Sequence, residues 1–291
     1  MKRRLHFLLI MCLLAILGFN QPTLAQSPQT IEVGPHFGAT SYVGDLNVWR
    51  NLPQWNWKQL NQFHYDVGAV VRYNYDTRWS FRLDYTYLHA RAQDSVTAWR
   101  PQSMLNFKTT AHDLSFLVEF NFFDYYTGRA DKNFSPYIFG GLSAFLYQVQ
   151  PFTGDQALDT LHFVGIDSDT NGNDLFDVNP EKGSPNMALS IPFGLGLKVS
   201  LSEHLAATAE WRMHYTLTDY FDGVSGNYSG QHPQANDSQG VVYDFTDPTG
   251  TFPEGYQRGN ARNNDWFGMI NLSITWKFII PDKAACKLTD F

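Results

Sequence analysis

The stretch Trp266-Phe267-Gly268-Met269-Ile270-Asn271-Leu272-Ser273-Ile274-Thr275-Trp276-Lys277-Phe278 alternates with a period of two. Ile270, Leu272, Ile274, Trp276 and Phe278 are apolar, and Asn271, Ser273, Thr275 and Lys277 between them are polar. Successive side chains of a strand point to opposite faces, so this segment reads as a strand with one apolar and one polar face.

The same pattern recurs along the chain. In 204–218, Leu205, Ala207, Ala209, Trp211, Met213, Tyr215 and Leu217 share one face against Glu210, Arg212, His214 and Thr216. In 186–200, Met187, Leu189, Ile191, Phe193, Leu195, Leu197 and Val199 alternate with residues that include Ser190, Gly194 and Gly196. In 111–124, Leu114, Phe116, Val118, Phe120 and Phe122 oppose Asp113, Ser115, Glu119 and Asn121. Segments 64–75 and 78–90 read as a hairpin, with Val67, Ala69, Val71 and Tyr73, then Trp79, Phe81, Leu83 and Tyr85, as apolar faces. Segment 31–43 is a weaker strand. Segment 135–148 is apolar on both faces and has no readable phase.

Eight strands result. The connections 44–63, 91–110, 149–185 and 219–265 are long, whereas 76–77, 125–134 and 201–203 are short or moderate. Long and short connections in alternation mark an all-β, up-and-down antiparallel transmembrane barrel, with long loops on one rim and turns on the other. In an outer membrane the long loops face outside, and an even strand count leaves both termini in the periplasm. The alternative, a soluble β-sandwich, does not explain large aromatics at successive outward positions such as Phe116, Phe120 and Phe122.

Composition agrees with a barrel. The 291 residues are 43% hydrophobic, 16% aromatic and only 17% charged, with 22 Gly, and the mean hydropathy is −0.31. Half of each barrel strand faces lipid and half a polar interior, which gives such a profile. The net charge of −7 argues against nucleic acid, which needs a basic surface. Two cysteines build neither a Cys₄ zinc site nor a disulfide framework.

Residues 1–25 read as a signal peptide: Lys2, Arg3 and Arg4, then an apolar core to Phe19, then Thr23-Leu24-Ala25 before a cut at Gln26. The core is short of the ~20 residues that a membrane anchor helix needs. Cys12 leaves with this segment. Without its three basic residues, 18 basic residues face 28 acidic ones, a net of −10. Residues 26–291 are then one barrel domain with a short tail, 279–291, which Pro281 turns away from the last strand. The tail holds Cys286, a lone thiol that either pairs with a partner or is simply exposed.

The polar phases place Glu32, Asp66, Asp84, Asp113, Glu119 and Glu210 inside, with Arg72, Arg82, Lys198, Arg212 and Lys277. Buried charges are costly unless paired, so an ion-pair network across the lumen is expected. It serves as a structural plug or as an ion path, and the plug is favoured. A barrel of eight strands is just wide enough for its own side chains, whereas aqueous porins use about twice as many strands, which argues against general diffusion of solutes.

The loop 151–185 contains Asp167-Ser168-Asp169-Thr170-Asn171-Gly172-Asn173-Asp174, which begins like a calcium loop. Asp167, Asp169, Asn171 and Asp174 are the candidate calcium ligands. The run departs from an EF-hand at Val178, where a bidentate Glu belongs, and an acidic solvated turn is the alternative reading. No other cofactor is expected. No catalytic motif or convergent nucleophile and base is found, and His36 and His214 read as satisfied lumen residues. Trp49, Trp55 and Trp57 read as interface anchors or as a ligand surface.

The runs Ser41-Tyr42-Val43-Gly44-Asp45-Leu46-Asn47, Ser135-Pro136-Tyr137-Ile138-Phe139-Gly140-Gly141, Thr218-Asp219-Tyr220-Phe221-Asp222-Gly223-Val224-Ser225, Arg258-Gly259-Asn260 and Asp265-Trp266-Phe267 come in this order over nearly the whole chain. Together they resemble the PorG-like outer-membrane barrels of Bacteroidota. The resemblance implies a component of the type IX secretion machinery that contacts a periplasmic ring, made of a lipoprotein and its soluble partner. The acidic insert 151–185 has no counterpart in it. The expected function is therefore a non-catalytic structural and interaction barrel. The alternative is a stand-alone outer-membrane protein that binds a ligand, a surface or calcium through its acidic loops.

Overall fold

The computed structural model describes residues 29–45, 64–93, 106–151, 186–224, 226–228, 234–236, 242–244, 247, 249–260 and 262–280. Its strands are β1 (Thr30–Val43), β2 (His64–Asn74), β3 (Trp79–Gln93), β4 (Asn106–Asn121), β5 (Phe134–Pro151), β6 (Asn186–Ser200) and β7 (Leu205–Thr216). A small hairpin of β8 (Gln234–Asn236) and β9 (Val242–Asp244) precedes β10 (Trp266–Ile279). All but that hairpin form one closed barrel of eight antiparallel strands. Chain neighbours pair throughout, and β10 closes on β1, from Thr30 opposite Ile279 to Val43 opposite Trp266.

The short turns are built by side chains that accept backbone N–H groups. Oδ1 of Asp76 accepts from the amides of Arg78 (2.6 Å) and Trp79 (2.7 Å), which reverses the chain between β2 and β3. Oγ of Ser202 does the same for Leu205 at the start of β7 (3.2 Å).

The two faces separate as the alternation requires. Val67, Val71, Phe81, Leu83, Leu114, Phe116, Leu195, Leu197, Ile270, Leu272 and Ile274 are exposed on the outside. So large an apolar band on a closed barrel is a lipid-facing belt. Trp79, Phe123, Phe134 and Trp276 gather at its short-turn edge, and Tyr65, Tyr215 and Trp266 lie toward the long-loop edge, as interface aromatics do. Met213 keeps the outward phase but is fully covered, flanked in register by Phe193 and Gly268.

Three expectations need correction, and one strand left without a phase acquires it. Strand β4 starts at Asn106 and ends at Asn121, against 111–124. Beyond the belt its polarity inverts: Phe107 and Ala111 point inward and Lys108 outward, because an outward side chain there no longer meets lipid. The same inversion carries β3 past residue 90, with Leu88 and Ala90 inside. The connection 219–265 is not all loop, since it holds β8 and β9 and a segment packed into the barrel mouth. Strand β5 acquires its phase: Ser135, Tyr137, Phe139, Ser143, Phe145 and Tyr147 face the lumen, and Ile138, Leu142 and Leu146 face out.

Candidate functional site

The lumen is packed in layers. Near the short turns and at mid-height, four acids meet four bases. Glu119 on β4 receives Arg72 from β2 (2.9 Å), Arg82 from β3 (3.0 Å) and Lys198 from β6 (2.6 Å). Glu32 on β1 takes the other side of Arg72 (2.9 Å). Glu210 on β7 holds Arg82 (2.8 Å) and Arg212 (2.5 Å) and accepts the Tyr137 hydroxyl (2.7 Å). Asp84 pairs with Arg212 (2.8 Å), with Arg82 (3.6 Å) and with Nε2 of His36 (3.1 Å). All eight are buried. Equal numbers of each charge, in contact, keep the desolvation cost bearable.

Aromatic rings from β5 fill the space between. The ring of Phe139 lies 4.9 Å from the Arg82 guanidinium and 5.7 Å from that of Arg212. Nζ of Lys198 lies 4.5 Å from the Tyr137 ring. Such cation–π contacts gain strength when desolvated. Tyr137 sits opposite Gly196 in register, and Phe139 opposite Gly194. A Cβ on Gly196 would lie 2.7 Å from Cζ of Tyr137, and one on Gly194 would lie 2.6 Å from Cζ of Phe139. The two glycines are therefore the floor on which the rings lie.

Three expected members stand outside the ion-pair network. Asp66 accepts from Thr40 (3.0 Å) and from Nδ2 of Asn271, and Nδ1 of His36 approaches it at 3.9 Å. Asp113 accepts from Ser115 (2.6 Å) and Ser143. Lys277 donates to the Thr127 carbonyl (2.5 Å) and lies 4.8 Å from the Tyr126 ring. Hydroxyl and amide donors serve the two acids, and a carbonyl and a ring face serve the lysine, in place of a close Lys–carboxylate or Arg–carboxylate pair.

Both ends of the bore are closed. At the short-turn end the β4–β5 connection folds inward: Tyr125 and Thr127 are buried, and Thr127 Oγ1 donates to Glu32 (2.6 Å). At the long-loop end the chain after β7 enters the mouth. There Phe221 packs on Phe267 (5.1 Å), Phe145 (5.8 Å), Tyr147 (5.9 Å) and Tyr42 (6.2 Å). Thr109 Oγ1 donates to the Phe221 carbonyl (2.6 Å). The Tyr42 hydroxyl meets Asp222 and Asp265, and the Asn260 amide donates to Asp45 (2.6 Å). This plug joins three separated sequence runs, 41–45, 218–224 and 258–267, and its alternation-free loop residues carried no signal that they would meet.

Ser190, His214 and Asp113 lie together in the upper lumen, yet not as a catalytic relay. Ser190 Oγ (3.0 Å) and Asp113 Oδ1 (3.9 Å) both face Nδ1 of His214. In a hydrolytic triad the nucleophile and the orienting acid hold opposite ring nitrogens. Here His214 is buried and stacked on Phe267 at 4.2 Å. No group of three His, Cys, Asp or Glu among the described residues is placed to hold a metal ion. Residues 1–25, Trp49, Trp55, Trp57, the calcium candidates Asp167, Asp169, Asn171 and Asp174, and Cys286 lie outside the described residues.

A lipid-facing belt around a charged, closed lumen defines a membrane-spanning β-barrel of the outer-membrane type. The chain belongs to the family described as a domain of unknown function (DUF6089), whose model matches residues 5–162. No curated protein matches it significantly in sequence. Among solved structures it is similar to the N-terminal β-barrel domain of Pseudomonas aeruginosa OprF, at 12% identity and a TM-score of 0.38, covering 86% of this chain and 97% of that one. It is also similar to Neisserial surface protein A, at 13% identity and a TM-score of 0.37, covering 87% and 99%. A major outer membrane protein from Thermus thermophilus is similar at 12% identity and a TM-score of 0.37, covering 85% and 99%. The barrel itself is read from this chain's own strand pairing.

Proposed function

We propose that this protein is a non-catalytic barrel of the outer membrane, with both termini in the periplasm, that acts through its rims as a structural and interaction component of a type IX protein secretion apparatus. The observation that carries the interaction reading is the double closure of the bore, by Tyr125 and Thr127 at one end and by Phe221 at the other. A bore closed at both ends leaves the rims as working surfaces. The choice of apparatus rests on the resemblance to PorG-like barrels. It is supported by the way Tyr42, Asp45, Phe221, Asp222, Asn260 and Asp265, all within the resembling runs, interlock in one plug.

The resemblance implies a periplasmic ring of a lipoprotein and a soluble partner. The short-turn rim and the tail Pro281 to Phe291 are the surface offered to it. On that rim Tyr125 and Thr127 are turned inward, and Arg129, Asp131 and Leu201 to Glu203 are among its exposed residues. Crosslinking in native membranes, followed by mass spectrometry, tests this. Crosslinks from these residues to periplasmic ring components are expected. Crosslinks confined to the long-loop side would overturn the assignment and favour a stand-alone barrel that binds through its acidic loops. Calcium in loop 151–185 belongs to that second reading, which the run Asp167 to Asp174 supports. There, millimolar calcium should protect the loop from proteolysis, in the range of extracellular modules, and Asp169→Ala should remove the protection.

A further inference from the structure

The Tyr42 hydroxyl lies 2.5 Å from Oδ2 of Asp222 and 2.8 Å from Oδ1 of Asp265. A phenol carries one hydrogen and donates it to one acceptor. Its second carboxyl contact is a hydrogen bond only if that carboxyl supplies a hydrogen of its own. We propose that Tyr42, Asp222 and Asp265 form a proton-binding site that locks the segment 218–224 into the barrel mouth, and that loss of its extra proton releases the segment.

The outer oxygen of Asp265 grips the plug, and that of Asp222 fixes the turn of the plug itself. Oδ2 of Asp265 accepts from the Phe221 amide (3.0 Å), and Oδ1 of Asp222 accepts from the Val224 amide (2.8 Å). Both acids are buried at 1% exposure. A Cβ on Gly44 would overlap the Tyr42 hydroxyl and the Asp265 carboxylate, so the site is packed on that side too. The charged and titratable groups around it are Asp45 after β1, Asp219 and Tyr220 on the plug, Tyr147 on β5, His214 on β7, and Arg258, whose Nη1 donates to the Gly223 carbonyl (3.0 Å).

Burial, then the Asp265 and Asp45 carboxylates, push Asp222 well above the usual carboxylate range. Burial and Asp219 do the same for Asp265. A folded-state pKa raised above the unfolded one contributes stability that is complete below the unfolded value and is lost as pH rises through the folded value. The plug is thus held most firmly at low pH and loses that stabilisation as pH rises above the ordinary carboxylate range.

The test uses the folded barrel in detergent micelles, with heat-modifiable gel migration as the check on folding. Hydrogen-exchange protection of the Phe221 and Val224 amides, corrected for the intrinsic rate, is measured from about pH 5 to about pH 10. Protection is expected to fall by about tenfold per pH unit from the low-pH end of this range, because an acid freed by opening ionises at about pH 4 while the closed site keeps its proton, and to level off once the closed site has lost it. Asp222→Asn keeps a hydrogen donor but cannot ionise, so its profile should stay flat at the protected level. Infrared spectra of the wild type at neutral pH should show the carbonyl band of a protonated carboxylic acid, which Asp222→Asn diminishes. A flat wild-type profile, an unchanged slope in Asp222→Asn, or a neutral-pH spectrum without that band would each overturn the proposal. The wild-type measurements decide even if the variant does not fold.

Discussion

Arg82 on β3 and Glu210 on β7 stand on opposite walls of the barrel, four strands apart whichever way the circuit is followed, and their side chains meet at 2.8 Å. Only a bore as narrow as that of eight strands permits this contact. The pair therefore braces the barrel across its diameter, beyond what the hydrogen-bonded ladders do around its circumference.

Glu210→Ala should lower barrel stability by about 3–5 kcal/mol, because it strands Arg82 and Arg212 without their shared carboxylate. Urea unfolding of the protein folded into lipid vesicles measures this. Glu210→Gln, which keeps an acceptor for Tyr137, should cost less. Equal stability of Glu210→Ala and wild type would mean that the brace contributes nothing.

Tyr137→Phe removes the hydroxyl that donates to Glu210 (2.7 Å) but keeps the ring under Lys198. A loss of about 1.5–3 kcal/mol is expected, as for hydrogen bonds to charged groups. Combined with Glu210→Gln the losses should not add, since the two side chains share one contact.

Two glycines of the same β5–β6 neighbourhood should respond oppositely. Gly194→Ala drives a Cβ into Phe139 and the Trp211 carbonyl, which should cost about 1–3 kcal/mol. On Gly140 a Cβ would find the Pro192 carbonyl oxygen at 3.7 Å, an ordinary contact. Gly140→Ala should be neutral or stabilise by up to about 1 kcal/mol. The same unfolding assay separates them.

Leu272→Arg places a charge on the lipid-facing belt and should cost roughly 2–4 kcal/mol and impair insertion. Asn271→Arg, one residue away, enters the lumen beside Asp66, whose close partners are Thr40, Asn271 itself and His36. It should escape the lipid cost. Insertion efficiency into vesicles, read by heat-modifiable migration, compares the two, and equal impairment would contradict the assignment of faces.

The alternation of Ile270 to Phe278 determined a strand, its two faces and, repeated along the chain, a barrel, because period-two patterning needs only local backbone geometry. It also determined that Glu32, Arg72, Arg82, Asp84, Glu119, Lys198, Glu210 and Arg212 are internal, since each lies on a polar phase. Which charges meet was decided by the tertiary structure alone. Arg82 reaches Glu210 through closure of the barrel and the shear of its strands, quantities that no local pattern encodes. The same closure left Asp66 and Asp113 to hydroxyl and amide donors. Strand β5 was illegible because its inward side chains, Tyr137, Phe139, Phe145 and Tyr147, are as apolar as its outward ones. They belong inside because buried cations and a loop plug need ring faces to pack on, and that need exists only once β3, β6, β7 and the segment 218–224 have been brought around them.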